Sequence, residues 1–329
     1  MEVRDSLRIG GYVLVPLIFV FWLVAVYWSI EPDMFDVRID NAYAVDASGN
    51  KKLVVGVTTT ETAIRVSQTL LDKPGGFLTN DIVPPSIFMD NMPSWEFGAL
   101  TQVRDLVHSM RQDISRSQSQ SAEDSDLRAA EQHFNIDPQS WVVPSAESEY
   151  KEGIKALKRY QLRIVDPTKP DAQFYARADN LRDWLGAAGK RMGSLSQRLS
   201  AAVGEVRIDV DKGGQVVTTT EPDDLVAVKT PWLKIDDVFY EARGSCWALI
   251  QFLKAAEVDF GDVLDKKNAR ASLRQIIREL EGTQDSVWSP MILNGTGFGF
   301  VANHSLVMAN YISRANAAII DLRDLLSRG

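Results

Sequence analysis

The residues able to do chemistry are few and scattered. Catalysis needs groups that converge, and a protein-bound metal needs ligands at short spacing on one element. The three histidines are His108, His133 and His304, no His-Glu-x-x-His occurs, and no two histidines share a metal-ligand spacing. Cys246 is the one cysteine, so no intramolecular disulfide can form. It falls on an apolar helical stripe, where a thiol behaves as a small hydrophobe rather than a nucleophile. Ser148-x-x-Lys151 has the spacing of a penicillin-binding nucleophile. The companion Lys-Thr-Gly is absent, because Lys229-Thr230 is followed by Pro231. These residues assign no catalytic group, no metal site and no cofactor.

What remains points to binding. Asn294-Gly295-Thr296-Gly297-Phe298-Gly299-Phe300 is the one Gly-rich stretch. Spaced glycines ahead of a helix can cradle phosphate, but this spacing is not that of a nucleotide loop and the nucleotide-binding lysine is missing. An adaptable loop leading into a final helix is expected there. Trp141 and Trp288 each precede a proline, at Pro144 and Pro290. Trp141, Trp288, Asn294, Gly295, Gly297 and Phe298 are therefore the candidate partner-binding residues. The tryptophans are either aromatic anchors for a protein or glycan, or hydrophobic plugs closing a helical bundle.

The elements that would position these residues are mostly helices. Phe174, Ala178, Leu181, Leu185, Ala188, Met192, Leu195, Leu199 and Ala202 alternate spacings of four and three, a heptad seam. The same pattern runs from Ile235 through Phe239, Ala242, Cys246 and Leu249 to Ala256, and from Met308 through Tyr311 to Leu325. Shorter versions cover Leu100–Ile114 and Tyr150–Ile164. Several seams in one chain can satisfy one another, so intramolecular packing is expected over an intermolecular coiled coil. A continuous helix from Asp171 to Val203 is expected, with a neighbour crossing close to Gly186, Gly189 and Gly193. Thr58-x-x-Glu61 fits a capping box for a short helix.

Two segments read as β-hairpins: Val37–Val45 with Leu53–Thr58, and Glu205–Val210 with Gln215–Thr219. They share strings in order. Val37-Arg38-Ile39-Asp40 matches Val206-Arg207-Ile208-Asp209, and Val57-Thr58-Thr59-Thr60-Glu61 matches Val217-Thr218-Thr219-Thr220-Glu221. An internal duplication is one reading of this, and chance recurrence in β-rich strings the other. The expected fold is mainly α: a transmembrane helix, then a bundle with two short hairpins. The divisions are residues 1–8 as a cytoplasmic tail, 9–30 as an anchor, 36–165 as a first unit, 166–204 as a connecting helix and 205–329 as a second unit.

Ile9–Ile30 is a run of 22 residues without a charge. As a helix it reaches roughly 33 Å, near the thickness of a bilayer core. Arg4 and Arg8 precede it; Glu31, Asp33 and Asp36 follow. The positive-inside rule then puts the N-terminus in the cytoplasm and the bulk of the chain in the periplasm. The net charge of −8 disfavours nucleic acid, whose phosphates need a basic surface.

The N-terminal apolar run, the Thr58-Thr59-Thr60-Glu61 string, the Trp95-Glu96-Phe97-Gly98 helix start and the Asn294–Phe300 loop resemble an uncharacterised proteobacterial membrane-protein family, the domain of unknown function 2333. The resemblance covers the whole chain. It implies a Gram-negative inner-membrane setting and carries no activity, cofactor or catalytic residue. The expected function is a structural or adaptor protein of the cell envelope, with envelope proteins and the membrane as partners. The alternative is an enzyme acting on cell-wall glycan or lipid through carboxylates hidden among 44 acidic residues. Two carboxyls with raised pKa in one cleft would favour the enzyme.

Overall fold

Apolar residues spaced three and four apart become helices, and helices make up the body. The computed structural model describes residues 2–38, 43–45, 51–117, 122–166, 171–203, 205–208, 225–287, 289, 291–295 and 301–328. In chain order these form α1 (Glu2–Trp28), β1 (Tyr43–Val45), β2 (Lys51–Leu53), α2 (Val57–Asp72), α3 (Asn91–Ser109), α4 (Ser125–Phe134) and α5 (Ala146–Val165). There follow α6 (Ala178–Ser200), β3 (Glu205–Ile208), β4 (Leu225–Val228), α7 (Ile235–Asp259), α8 (Gly261–Lys266), α9 (Arg270–Glu281) and α10 (His304–Ser327). A π-helical turn, Met110–Ile114, prolongs α3. One continuous apolar core joins α2 through α10.

The centre of that core is the contact of α3 with α7. Gly98 lies against the backbone of Glu241 and Ser245, and Gly244 lies against the backbone of Trp95. With no Cβ at either position, the two main chains meet directly. Around this crossing Trp95 and Trp247 pack at a tilt of 53° with ring centroids 5.1 Å apart, and Gln102 Nε2 donates to Ser245 Oγ at 2.8 Å. The remaining helices are placed in exchangeable pairs about this axis. α5 packs on α2 and α4 as α10 packs on α6 and α9; α2 reaches α7 as α6 reaches α3.

The heptad seam of α6 is buried within the chain: Leu181, Leu185, Ala188, Met192, Leu195 and Leu199 are all in the core. The helix is shorter than the seam suggests, because Phe174 lies ahead of its first turn and packs on Phe260 instead. α10 is the close neighbour: Arg323 sits over Gly186, and Asn316 and Ile319 over Gly189.

Two expectations are corrected. The first is the pair of β-hairpins as building blocks. Among the described residues, strand is confined to two short antiparallel ladders, Tyr43–Val45 with Lys51–Leu53 and Glu205–Ile208 with Leu225–Val228. The expected strand residues Val57 and Thr58 open α2 instead, and Gln215–Thr219 lie outside the described residues. The cause is tertiary. Gly56, at φ +92°, turns the chain. Asp259, 200 positions away on α7, then accepts from Thr59 N and Thr59 Oγ1 at 2.7 and 2.6 Å. That carboxylate supplies the cap expected of Thr58 and satisfies orphan donors of the helix start. Thr60 and Thr62 meanwhile return their hydroxyls to the Gly56 and Thr58 carbonyls.

The second correction concerns the membrane-spanning helix at Ile9–Ile30. Among the described residues, no helix is long and apolar enough to cross a membrane. α1 runs from Glu2 to Trp28 and so ends two residues before the uncharged run does.

The close crossing generates a prediction. A methyl group at Gly98 would fall on the Glu241 carbonyl, and one at Gly244 on the Trp95 carbonyl. Backbone cannot yield as a flexible side chain can, so Gly98→Ala and Gly244→Ala should each cost about 1–3 kcal/mol. Urea unfolding of the full chain would read this; unchanged midpoints in both variants would mean that the helices have room to separate.

Candidate functional site

Each central helix carries a buried charge that ties down loops. On α3 it is Glu96, fully buried against an equally buried Lys73 at 2.6 Å. Glu96 also accepts from Leu78 N at 2.8 Å, Thr79 N at 2.9 Å and Thr79 Oγ1 at 2.5 Å, and Lys73 Nζ donates to the Gly76 carbonyl at 2.6 Å. Burial pushes the Glu96 carboxyl above its ordinary range; Lys73 and the Thr79 and Leu78 donors oppose that push. On α7 the charge is Arg243. It donates to Glu31 at 2.8 Å and to the carbonyls of Thr283, Gln284 and Asp285 at 3.0, 3.3 and 2.8 Å. Glu96 thus holds the α2–α3 connection, while Arg243 holds the start of the α9–α10 connection and the segment following α1.

Two further contacts join neighbouring connections. Asn80 Nδ2 donates to the Ser140 carbonyl at 2.9 Å and to Glu147 Oε2 at 2.8 Å, linking the loop before α3 to the loop before α5. Asp90 shares a 190 Å³ pocket with Trp232, Leu233, Asp236 and Met291, linking the loop before α3 to those before α7 and α10. Four connections therefore gather at one end of the body. They expose large apolar side chains: Ile82, Val83, Ile87 and Phe88 before α3; Trp141, Val142 and Val143 before α5; Trp232 and Leu233 before α7; Met291 and Val301 before α10.

The candidates from sequence fall as follows. Trp141 is more than half exposed, at 58%, and so projects from the surface rather than plugging the bundle. Asn294 and Gly295 are structural clasps of their loop. Asn294 Nδ2 donates to the Ala202 carbonyl at 2.7 Å, and its Oδ1 accepts from Asn303 Nδ2 at 3.0 Å. Gly295 N donates to the Ala302 carbonyl, and a Cβ at Gly295 would strike the Val301 carbonyl. Trp288, Gly297 and Phe298 lie outside the described residues. Trp95 and Trp232, both near helix starts, part company: Trp95 is wholly buried and Trp232 is 73% exposed. Phe88, Val143 and Leu233 carry no motif. Their signal was composition alone, an apolar cluster in a connection marked by Pro84 and Pro85 and another beside Pro144.

Cleft chemistry is sparse. Among the described residues no group of three or more His, Cys, Asp or Glu side chains is arranged to hold a metal ion. Cys246 is buried and its thiol is pushed up to about 12 by burial, consistent with an inert core residue. Asp236 is raised, chiefly by burial and then by Asp90 and Asp237, but its pocket of 190 Å³ is below the roughly 300 Å³ typical of small-molecule sites. The larger cavity of 870 Å³, between α6 and α10, is lined by Ser196, Ser200, Asn303, Asn310, Ser313 and Arg314 and includes no carboxylate.

The family model described as an uncharacterized protein conserved in bacteria, DUF2333, matches residues 1–329. The chain belongs to that family. No curated protein and no solved structure matches it.

Lys73→Met would leave Glu96 buried without its cation, which costs about 3–5 kcal/mol. The deficit should depend on pH in a defined sense. Without Lys73 the folded-state pKa of Glu96 rises further above the ordinary 4.5. A raised carboxyl contributes stability below its unfolded value and loses it as pH rises through the folded value. The gap between wild type and variant should therefore shrink as urea melts move from pH 8 to pH 5. A gap independent of pH would count against an ionised Glu96 as its source.

Proposed function

We propose that this protein is a structural or adaptor protein of the bacterial envelope, associated with lipid through α1 and working on the periplasmic side of the inner membrane. One observation carries the lipid association. Leu17 through Leu23 are exposed without interruption, and seven successive residues face every direction around a helix. No side of this stretch packs on the body, and such an apolar surface demands an apolar environment. The adaptor role is supported by a body whose polar buried groups serve its own architecture.

Flotation with phosphatidylcholine vesicles tests the lipid contact. The full chain should float, and Leu17→Asp/Phe21→Asp/Leu23→Asp should reduce the floating fraction at least tenfold, given roughly 2–3 kcal/mol lost per substitution. Equal flotation of both would refute it. Alkaline phosphatase fused after Gly329 should be active in cells; inactivity there, with a cytoplasmic reporter active instead, would refute the periplasmic side.

A further inference from the structure

The four connections before α3, α5, α7 and α10 stand at the same end of the body as the exit of α1. Trp28, the last residue of α1, lies against Gly75 in the connection that Glu96 and Lys73 pin. The chain then leaves this end along α7: Glu31 meets Arg243, Phe35 meets Trp247, and Arg38 shares a cleft with Val258 and Arg270. α1 is thus anchored beside these loops.

The loops present projecting apolar tips, and the pocket beside Trp232 and Leu233 holds only 190 Å³. Phe88 is 81% exposed and Val143 is 94% exposed, with Val83, Trp141, Trp232 and Leu233 beside them. A folded protein partner is recognised by a shaped pocket that takes an anchor. Separate exposed aliphatic and aromatic tips suit a fluid phase that conforms to them, and tryptophan favours the boundary between headgroups and acyl chains. Asp81, Asp90 and Asp236 lie among the tips, so the phase they suit is zwitterionic rather than anionic.

We infer that this loop end is a second lipid-contacting surface: Val83, Phe88, Trp141, Val143, Trp232 and Leu233 enter the headgroup layer beside α1 and hold the helical body against the bilayer. The inference rests on the proposed association of α1 with lipid.

Single-cysteine labelling of the full chain tests it. Cys246 is fully buried, so an introduced surface cysteine is the one that reacts. Phe88→Cys, Trp141→Cys and Trp232→Cys replace exposed side chains and leave the core intact. Each would carry a polarity-sensitive naphthalene dye, with Leu23→Cys reporting on α1 and Asp183→Cys on the opposite end. α6 begins there, about 30 Å from its C-terminal turn, where Ala201 bonds Thr230 beside the loops. With phosphatidylcholine vesicles, the three loop labels and Leu23→Cys should shift to the blue and Asp183→Cys should not. A shift at Leu23→Cys alone would overturn the inference and leave the α1 reading standing. Shifts at the loops with Leu23→Cys silent would uphold the loop contact and remove α1 as its companion. Silence everywhere would overturn both, and an equal shift at Asp183→Cys would replace an oriented contact with adsorption of the whole body.

Discussion

The body is arranged around two main chains that touch. Where α3 crosses α7, Gly98 and Gly244 remove the side chains that would hold the helices apart, and backbone meets backbone. This approach brings Trp95 against Trp247 and buries both, so the largest side chains of the core fill the space flanking the crossing. Aromatic residues of that size contribute most to burial when nothing separates them from their neighbours. The outer helices then take the grooves that the crossed pair leaves on either side. α2 and α5 line one side and α6 and α10 the other, each pair bridged to the centre in the same manner.

Burial at that crossing explains the unusual cost the protein carries in its charges. Glu96 follows Trp95 directly, and Arg243 precedes Gly244, so the tight contact draws both ions inward. A buried ion is tolerated only when its hydrogen-bonding capacity is filled. Glu96 is filled by Lys73 and the Leu78–Thr79 backbone, and Arg243 by Glu31 and three carbonyls in sequence. The requirement to satisfy the ions fixes the course of connections that lack secondary structure. Loop geometry at this end is therefore a consequence of core packing.

That consequence bears on the proposed lipid contact. Apolar side chains on free connections would turn inward; on connections already committed to Glu96, Asn80 and Arg243 they are held outward. Phe88 and Trp141 stand exposed on connections so held. The interior, by contrast, holds its titratable groups in architectural pairs, as Asp259 does for the first turn of α2.

Periodicity was legible in the sequence wherever a single helix face sufficed. The α6 seam and the α7 stripe through Cys246 followed from residues three and four apart, because that spacing is a local property of the chain; on α10 the buried stripe takes Ile312, Ile319 and Leu326 in place of the expected Tyr311, Ala318 and Leu325. The glycines at 186, 189 and 193 likewise signalled a close neighbour before α10 was known to be it. The helix α2 was legible from the Thr58-x-x-Glu61 spacing, but its cap was not: the acceptor is Asp259, delivered by the fold from the end of α7. The Lys73–Glu96 pair was equally hidden, since nothing near Glu96 in the chain shows that its partner comes from the end of α2. Trp141 could be chosen from its type and its place near a proline, but its exposure, and its company with Phe88 and Trp232, depended on which loops the core drew together. Local spacing determines which face of a helix is apolar; only the tertiary structure decides which buried ions must be satisfied and which apolar side chains are left outside, because both are settled by contacts between residues far apart in the chain.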